Sequence, residues 1–259
     1  MPGAPARHII GTILAMVMLA PLATVARGET ALAAVAANFA EAAEALLPFF
    51  RATTGHDLQL TTGSTGKLYA QIGAGAPFDL LLSADAATPA RLLAEGRAVA
   101  GSDFTFAIGR LALWSADPAR IGTEGPAALE DEGLRFVAIA NPELAPYGIA
   151  AREVLANLGL WEGLRPKIVM GQNIGQTHSM VATGAAELGF VALSAILSPR
   201  ARNPGSRWDV PDDLFTPIRQ DAVLLLHGAD NAAAIAFLDF LRTPDAAKVI
   251  EAFGYAVDD

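Results

Sequence analysis

Four short stretches of this chain place small, hydroxyl-bearing or amide residues at points where a strand would give way to a helix. They are Ala36-Ala37-Asn38-Phe39, Gly63-Ser64-Thr65-Gly66-Lys67, Asn141-Pro142-Glu143-Leu144-Ala145-Pro146-Tyr147-Gly148 and Gly171-Gln172-Asn173-Ile174-Gly175. The first turn of a helix leaves backbone N–H groups without partners and carries about half a positive charge. Small residues let an anion come close to those groups. In open α/β sheets, ligands sit beyond the carboxyl ends of the strands, where such junctions lie. Several junctions facing one cleft can therefore hold an anion without a cationic side chain. The competing reading is structural: Asn38, Ser64 and Thr65 are also ordinary helix caps.

Other chemistry is poorly supported. The run from Gly63 to Lys67 invites a phosphate-loop reading and fails it. Thr61 stands where the first glycine belongs, and Leu68 follows Lys67 in place of Ser or Thr. Lys67 then reads as a solvated helix residue or a contact between lobes. His8, His56, His178 and His227 are scattered, with no His-Glu-x-x-His pair for zinc. No Gly-x-Ser-x-Gly elbow is present. Ser64 with His178 and Asp221 is the least poor triad, and no spacing argues for it. Trp114, Trp161 and Trp208 read as packing residues.

The elements that would position these junctions alternate regularly. Strands are expected at Thr30–Ala36, Asp57–Thr61, Asp79–Leu82, Phe104–Trp114, Phe136–Ala140, Ile168–Gly171, Leu188–Ala192 and Ala222–Leu226. Helical periodicity covers Ala40–Thr53, Gly66–Ile72, Pro89–Glu95, Tyr147–Leu158, Ile174–Thr183 and Asn231–Leu241. Such alternation implies parallel sheets covered by helices. Pro48 should kink or split the first helix, and Gly55 should end it. Two stretches look like crossings between lobes: the long run Phe104–Trp114, and Pro217–Leu226 after a loop rich in Pro, Gly and Arg. Two crossings make the first lobe discontinuous. The division expected is a leader at 1–28, one lobe from 29–106 with 222–259, and a second lobe from 107–221.

Composition bounds the partners. Hydrophobic residues make up 53% and charged residues 17%, enough for a sizeable core, although alanine inflates the apolar count. The net charge is -9, and about -11 once Arg7 and Arg27 leave with the leader. No basic face offers itself to nucleic acid. With no cysteine, disulfides, thiolate nucleophiles and Cys-based metal sites are excluded. Arg7 and His8 precede an apolar run to about Ala26, followed by Arg27-Gly28-Glu29. This reads as a secretory signal cleaved near Ala26 or Gly28, because the run is short for a membrane anchor and contains Pro21.

The same junctions carry a family resemblance. Val35-Ala36-Ala37-Asn38-Phe39, Thr53-Thr54-Gly55-His56, Gly63 to Ile72, Gly75-Ala76-Pro77-Phe78-Asp79, Leu82-Ser83-Ala84-Asp85, Ala138 to Pro142 with Ala145-Pro146-Tyr147-Gly148, and Glu187 to Ala192 resemble the periplasmic molybdate-binding proteins of ABC transporters. The likeness runs from about Thr30 to Gly254. It implies an α/β fold of the type II periplasmic binding class, two lobes each with a mainly parallel sheet flanked by helices, joined by a two-segment hinge. It further implies a monomeric, non-enzymatic periplasmic protein that uses no cofactor and passes molybdate or tungstate to a permease and its ATPase. Carried over residue by residue, Ala37 and Asn38, Thr65 with Ser64, Tyr147, and the backbone N–H of Ile174 hold the oxyanion. No residue ligates a metal directly. Some members have serine where this chain has Asn38 and Thr65, and others a ligand tyrosine where it has Ala192; Tyr147 then supplies the hydroxyl. The alternatives are a binder of another oxyanion such as sulfate, an exported enzyme on a similar scaffold, and a sensor subunit.

Overall fold

The computed structural model describes residues 1, 3, 28–123 and 125–257. The expected leader lies almost wholly outside the described residues. The first sheet contains β1 (Thr30–Ala36), β2 (Asp57–Gly63), β3 (Leu80–Leu82), β4 (Phe104–Gly109) and β10 (Ile218–Leu224). The second contains β5 (Leu111–Ser115), β6 (Val137–Ala140), β7 (Ile168–Gly171), β8 (Leu188–Ala192) and β9 (Ser206–Asp209). Strand order is β2-β1-β3-β10-β4 in one and β7-β6-β8-β5-β9 in the other.

The helices are α1 (Ala40–Thr54), α2 (Thr65–Gly73), α3 (Ala87–Ala94), α4 (Pro146–Asn157), α5 (Trp161–Leu164), α6 (Ile174–Ala182), α7 (Leu193–Leu197), α8 (Ala232–Leu241) and α9 (Pro244–Ala252). They cover both faces of each sheet. Along β1, Ala33 and Val35 face the cluster made with Phe39, Leu46, Phe50, Phe237 and Ile250. Ala34, one residue out of phase, joins Leu68, Ile72, Leu81 and Leu92 on the opposite side. A strand buried on both faces is apolar throughout, which is why β1 shows no polar alternation. The second sheet repeats the plan, with Ile139 and Phe190 packed against Val154 and Leu155, and Ala138 and Val191 against Val181 and Ile196. Phe50 and Phe237 meet edge to face at 5.1 Å; burying each such ring is worth about 1.5–3 kcal/mol.

In each sheet one strand runs against the other four: β10 in the first, β5 in the second. The crossings explain it. β4 leaves the first sheet at the carboxyl end of its strands, and after Arg110 the chain enters the second sheet as β5 from that same side. An entry from the carboxyl end must run antiparallel to its neighbours. The return through 210–217 into β10 obeys the same rule. The long run Phe104–Trp114 is thus two strands in two sheets.

Helix α1 runs unbroken through Pro48, correcting the expected split. Pro48 and Glu44 are both exposed, so the Glu44 carbonyl that proline leaves without an N–H can turn to water. Gly55 ends the helix in the left-handed conformation with φ 74°. Strand β9 lies inside the Pro-, Gly- and Arg-rich stretch read as loop, and pairing with β5 makes it a strand. Among the described residues, no helix is long and apolar enough to cross a membrane.

Candidate functional site

Register brings the four junctions together in pairs. Ala36 lies opposite Gly63, so the stretches after β1 and β2 leave the first sheet side by side. Ala140 lies opposite Gly171, which does the same for the stretches after β6 and β7. The two pairs face one another. Gly66 donates its N–H to the Leu144 carbonyl at 2.9 Å, directly between the two sheets' helical layers. A Cβ at Gly66 would stand 3.2 Å from the Leu144 backbone, so glycine permits this approach.

Ala37, Asn38, Ser64, Thr65, Tyr147 and Ile174 all line one small cavity. Ala36, Gly63, Ala84, Ala145, Pro146 and Asn173 complete it, so no lining residue carries a charge. Among the described residues, none of the N–H groups of Ala37, Asn38, Ser64, Thr65, Tyr147 and Ile174 is taken by a protein acceptor. Ser64 is 3% exposed, and its hydroxyl has no hydrogen-bond partner. It does not cap α2, and the side chain of Asn38 caps nothing either. Capping is what Asn173 does: its side chain accepts from the Gln176 N–H at 2.9 Å, while Ile174 keeps its own N–H free. The Thr65 hydroxyl accepts from the Ala84 N–H at 3.1 Å, which leaves its proton for a guest.

Behind the cavity lies a buried polar network that sequence reasoning missed. Asn38 Nδ2 donates to Gln220 Oε1 at 2.8 Å and to the Tyr255 hydroxyl at 3.1 Å. Gln220 Nε2 donates to the Tyr147 hydroxyl at 3.3 Å. Tyr255 donates to the Asn38 carbonyl at 2.7 Å, and Ser194 donates to it at 3.2 Å. With both amide protons committed inward, Asn38 offers the cavity its backbone N–H. Burial, with the neighbouring Tyr255 adding to it, holds the Tyr147 phenol well above its ordinary pKa, outweighing the hydrogen bond from Gln220. Burial likewise raises Tyr255. Both stay neutral, so Tyr147 presents a hydroxyl proton and no charge.

One signal for Gln220 was present in the sequence. In Ile218-Arg219-Gln220-Asp221-Ala222 it falls in phase with the apolar residues, hence inward. Its partners, 182 and 73 residues away, left no trace there.

Other candidates are placed elsewhere. Lys67 reaches across to Gln172 Oε1 on the opposite side, an exposed contact between the two halves. His178 stacks on Trp114 at 4.8 Å, and Asp221 accepts from Thr105 at 2.7 Å. Ser64, which has no partner, is joined to neither. The catalytic triad is not assembled. Ala192 lines a neighbouring pocket with Glu41, His178 and Ser194, outside the small cavity.

Residues 31–256 match the family model of the bacterial extracellular solute-binding proteins. The chain is 49% identical over 247 residues to the molybdate-binding protein ModA of Rhodobacter capsulatus, covering 95% of each chain. To its namesake in Azotobacter vinelandii it is 48% identical, over 91% of this chain and 93% of that one. The solved Azotobacter vinelandii periplasmic molybdate-binding protein superposes with a TM-score of 0.84 at 42% identity, over 88% of this chain and 100% of that one. On sequence and fold together, the chain belongs to the bacterial extracellular solute-binding protein family, within the group of the ModA proteins.

Proposed function

We propose that this chain captures molybdate, and tungstate with it, outside the cytoplasmic membrane and delivers it to the permease and ATPase of an ABC transporter. The Ser64 hydroxyl carries the reading: buried, unpaired and not capping, in a cavity lined only by uncharged residues. Relatives 49% and 48% identical bear the name molybdate-binding protein. The ligand contacts assigned are the N–H groups of Ala37, Asn38, Ser64, Thr65 and Ile174 and the hydroxyls of Ser64, Thr65 and Tyr147. The protein acts as a monomer, with no turnover and no cofactor, after losing a leader near Ala26 or Gly28.

A dianion approaching a chain of net charge -9 is repelled at long range, so the site must win locally. Helix starts at about half a charge each approach the charge of the guest. Roughly half a dozen charge-assisted hydrogen bonds, at about 1.5–3 kcal/mol each, oppose its desolvation. Backbone N–H groups and hydroxyls whose protons face the guest favour a fully deprotonated oxyanion, since a proton on the guest could be accepted only by turning one of those hydroxyls around and losing its donation; this disfavours phosphate. Sulfate is rejected on size alone, and tungstate, nearly as large as molybdate, is admitted.

The lobes follow the sheets. The expected boundaries at 106/107 and 221/222 fall inside β4 and β10, so the hinge is assigned to Arg110 and to 210–217. Closure excludes water and strengthens each polar contact.

Native mass spectrometry of the mature chain offered molybdate, tungstate, sulfate and phosphate together should show one molybdate or tungstate per monomer. Preferential retention of sulfate or phosphate would overturn the assignment. Ser64→Ala supplies a second check with opposite signs. It removes a buried hydroxyl that has no protein partner, so the melting temperature of the unliganded protein should hold or rise. Affinity for molybdate should fall about 10-fold or more, the worth of one hydrogen bond to a charged group. A variant less stable without ligand yet unchanged in affinity would show that the hydroxyl serves the fold.

A further inference from the structure

We propose that Gln220 is the positioning residue that fixes the Tyr147 hydroxyl as a donor to the bound oxyanion, and that it takes its orientation from the backbone carbonyl of Asn38. This rests on the oxyanion reading above.

Hydrogen-bond polarity can be followed from one end of the network to the other. The Tyr255 hydroxyl lies 2.7 Å from the Asn38 carbonyl, which only accepts, and 3.0 Å from Ser194 Oγ, itself a donor to that carbonyl, so the tyrosine's single proton is spent on that side. The side of the Asn38 amide that faces Tyr255 at 3.1 Å must then be its NH2 group. That same nitrogen lies 2.8 Å from Gln220, whose facing atom must accept and is therefore Oε1. The other end of the Gln220 amide is NH2, and it points at Tyr147. The Tyr147 oxygen accepts, and its proton is left for the cavity. Turning any one amide around would set two donors or two acceptors against each other in a buried site, where nothing repairs the mismatch.

The geometry reserves room for this arrangement. Gln220 is fully buried, and the ladder between β10 and β4 shifts register between Gln220 and Asp221. Such irregularities re-aim a side chain. Across the ladder, a Cβ at Gly109 would stand 2.7 Å from Gln220 Nε2 and 2.3 Å from the Tyr147 hydroxyl. Asn38 follows the first sheet and Tyr147 the second, so the amide is gripped from both halves. The titratable group bonded to it is Tyr147, with Tyr255 one step away across the Asn38 amide; burial keeps both neutral, and Glu41 is the charged group that acts on Tyr255.

The test is a double-mutant cycle on the mature protein with molybdate in a calorimeter. Gln220→Met keeps length but removes both polar ends, and it should weaken binding about 10-fold or more in the parent. In a Tyr147→Phe background it should cost at most about threefold, because no hydroxyl remains to orient. A second readout is one that a packing role would not move. In Gln220→Glu an ionised carboxylate accepts at both ends and draws the Tyr147 proton away from the guest. A protonated one restores a donor toward Tyr147. The ratio of variant to parent affinity should therefore recover as pH falls from about 9.5 to 6, burial having raised the carboxyl pKa. Taking the ratio cancels the titration of molybdate itself. Additive losses in the cycle, or a Gln220→Glu ratio equally poor at every pH, overturn the proposal. A parent that binds no oxyanion overturns the functional reading with it; a parent that binds, beside a Gln220→Met variant that binds equally well, overturns the positioning role alone.

Discussion

Gly109→Ala should lower the oxyanion affinity about 10- to 100-fold, the loss of the one hydrogen bond that the Tyr147 hydroxyl gives a charged guest. Gly109 ends the last strand before the chain crosses between sheets, and it is buried. The added methyl would fall 2.3 Å from the Tyr147 hydroxyl and 2.7 Å from Gln220 Nε2, distances that no relaxed Cβ tolerates. Neither neighbour has room to retreat, since Tyr147 is 1% exposed and Gln220 is fully buried. The hydroxyl must turn away from its donor and from the guest together. Overpacking of this kind also costs about 1–3 kcal/mol of stability. Gly73→Ala is the matched control, because its Cβ would meet nothing within 4 Å. Calorimetry and denaturant titration of the two variants should separate them cleanly. Normal molybdate affinity in Gly109→Ala would remove the Tyr147 hydroxyl from the binding cage.

Tyr147→Phe against Lys67→Ala gives the second large contrast. The phenylalanine loses the hydroxyl proton that the network aims at the cavity, and it strands Gln220 Nε2 without its acceptor. Affinity should fall about 10- to 100-fold, and stability by about 1–3 kcal/mol, the cost of a buried donor left unpaired. Lys67 is the nearest cation in sequence to Thr65, yet it is exposed and turned to Gln172. Removing it takes away a contact of the exposed kind, so affinity should change by no more than about threefold. Titration calorimetry on both variants decides between a cage of neutral donors and one that relies on charge. A large loss confined to the lysine variant would sink the former.

The six anticipated lining residues belong to junctions whose character is local. A strand ending in small residues before a helix exposes N–H groups wherever the rest of the chain lies. Ala36 to Phe39 and Gly171 to Gly175 could therefore be singled out from composition and spacing alone. The missed strand depended on its partner. Ser206–Asp209 contains Ser, Arg, Trp and Asp with no apolar alternation, and it is a strand because β5 lies beside it. Helix α9, by contrast, has its start written locally in Thr243-Pro244-Asp245, with Thr243 accepting from the Ala246 N–H, a capping signal that apolar periodicity does not carry.

What the linear chain determined by itself was the class of chemistry: alternating strands and helices, uncharged helix starts, and no basic face or nucleophile motif. Those properties depend on neighbours within a few residues. Tertiary structure decided which donors face the cavity. It committed the Asn38 amide inward and left the Ser64 hydroxyl unpaired. It also brought Gln220 to Tyr147 across 73 residues of chain. Hydrogen-bond polarity is a property of a closed network, and only the folded chain closes it.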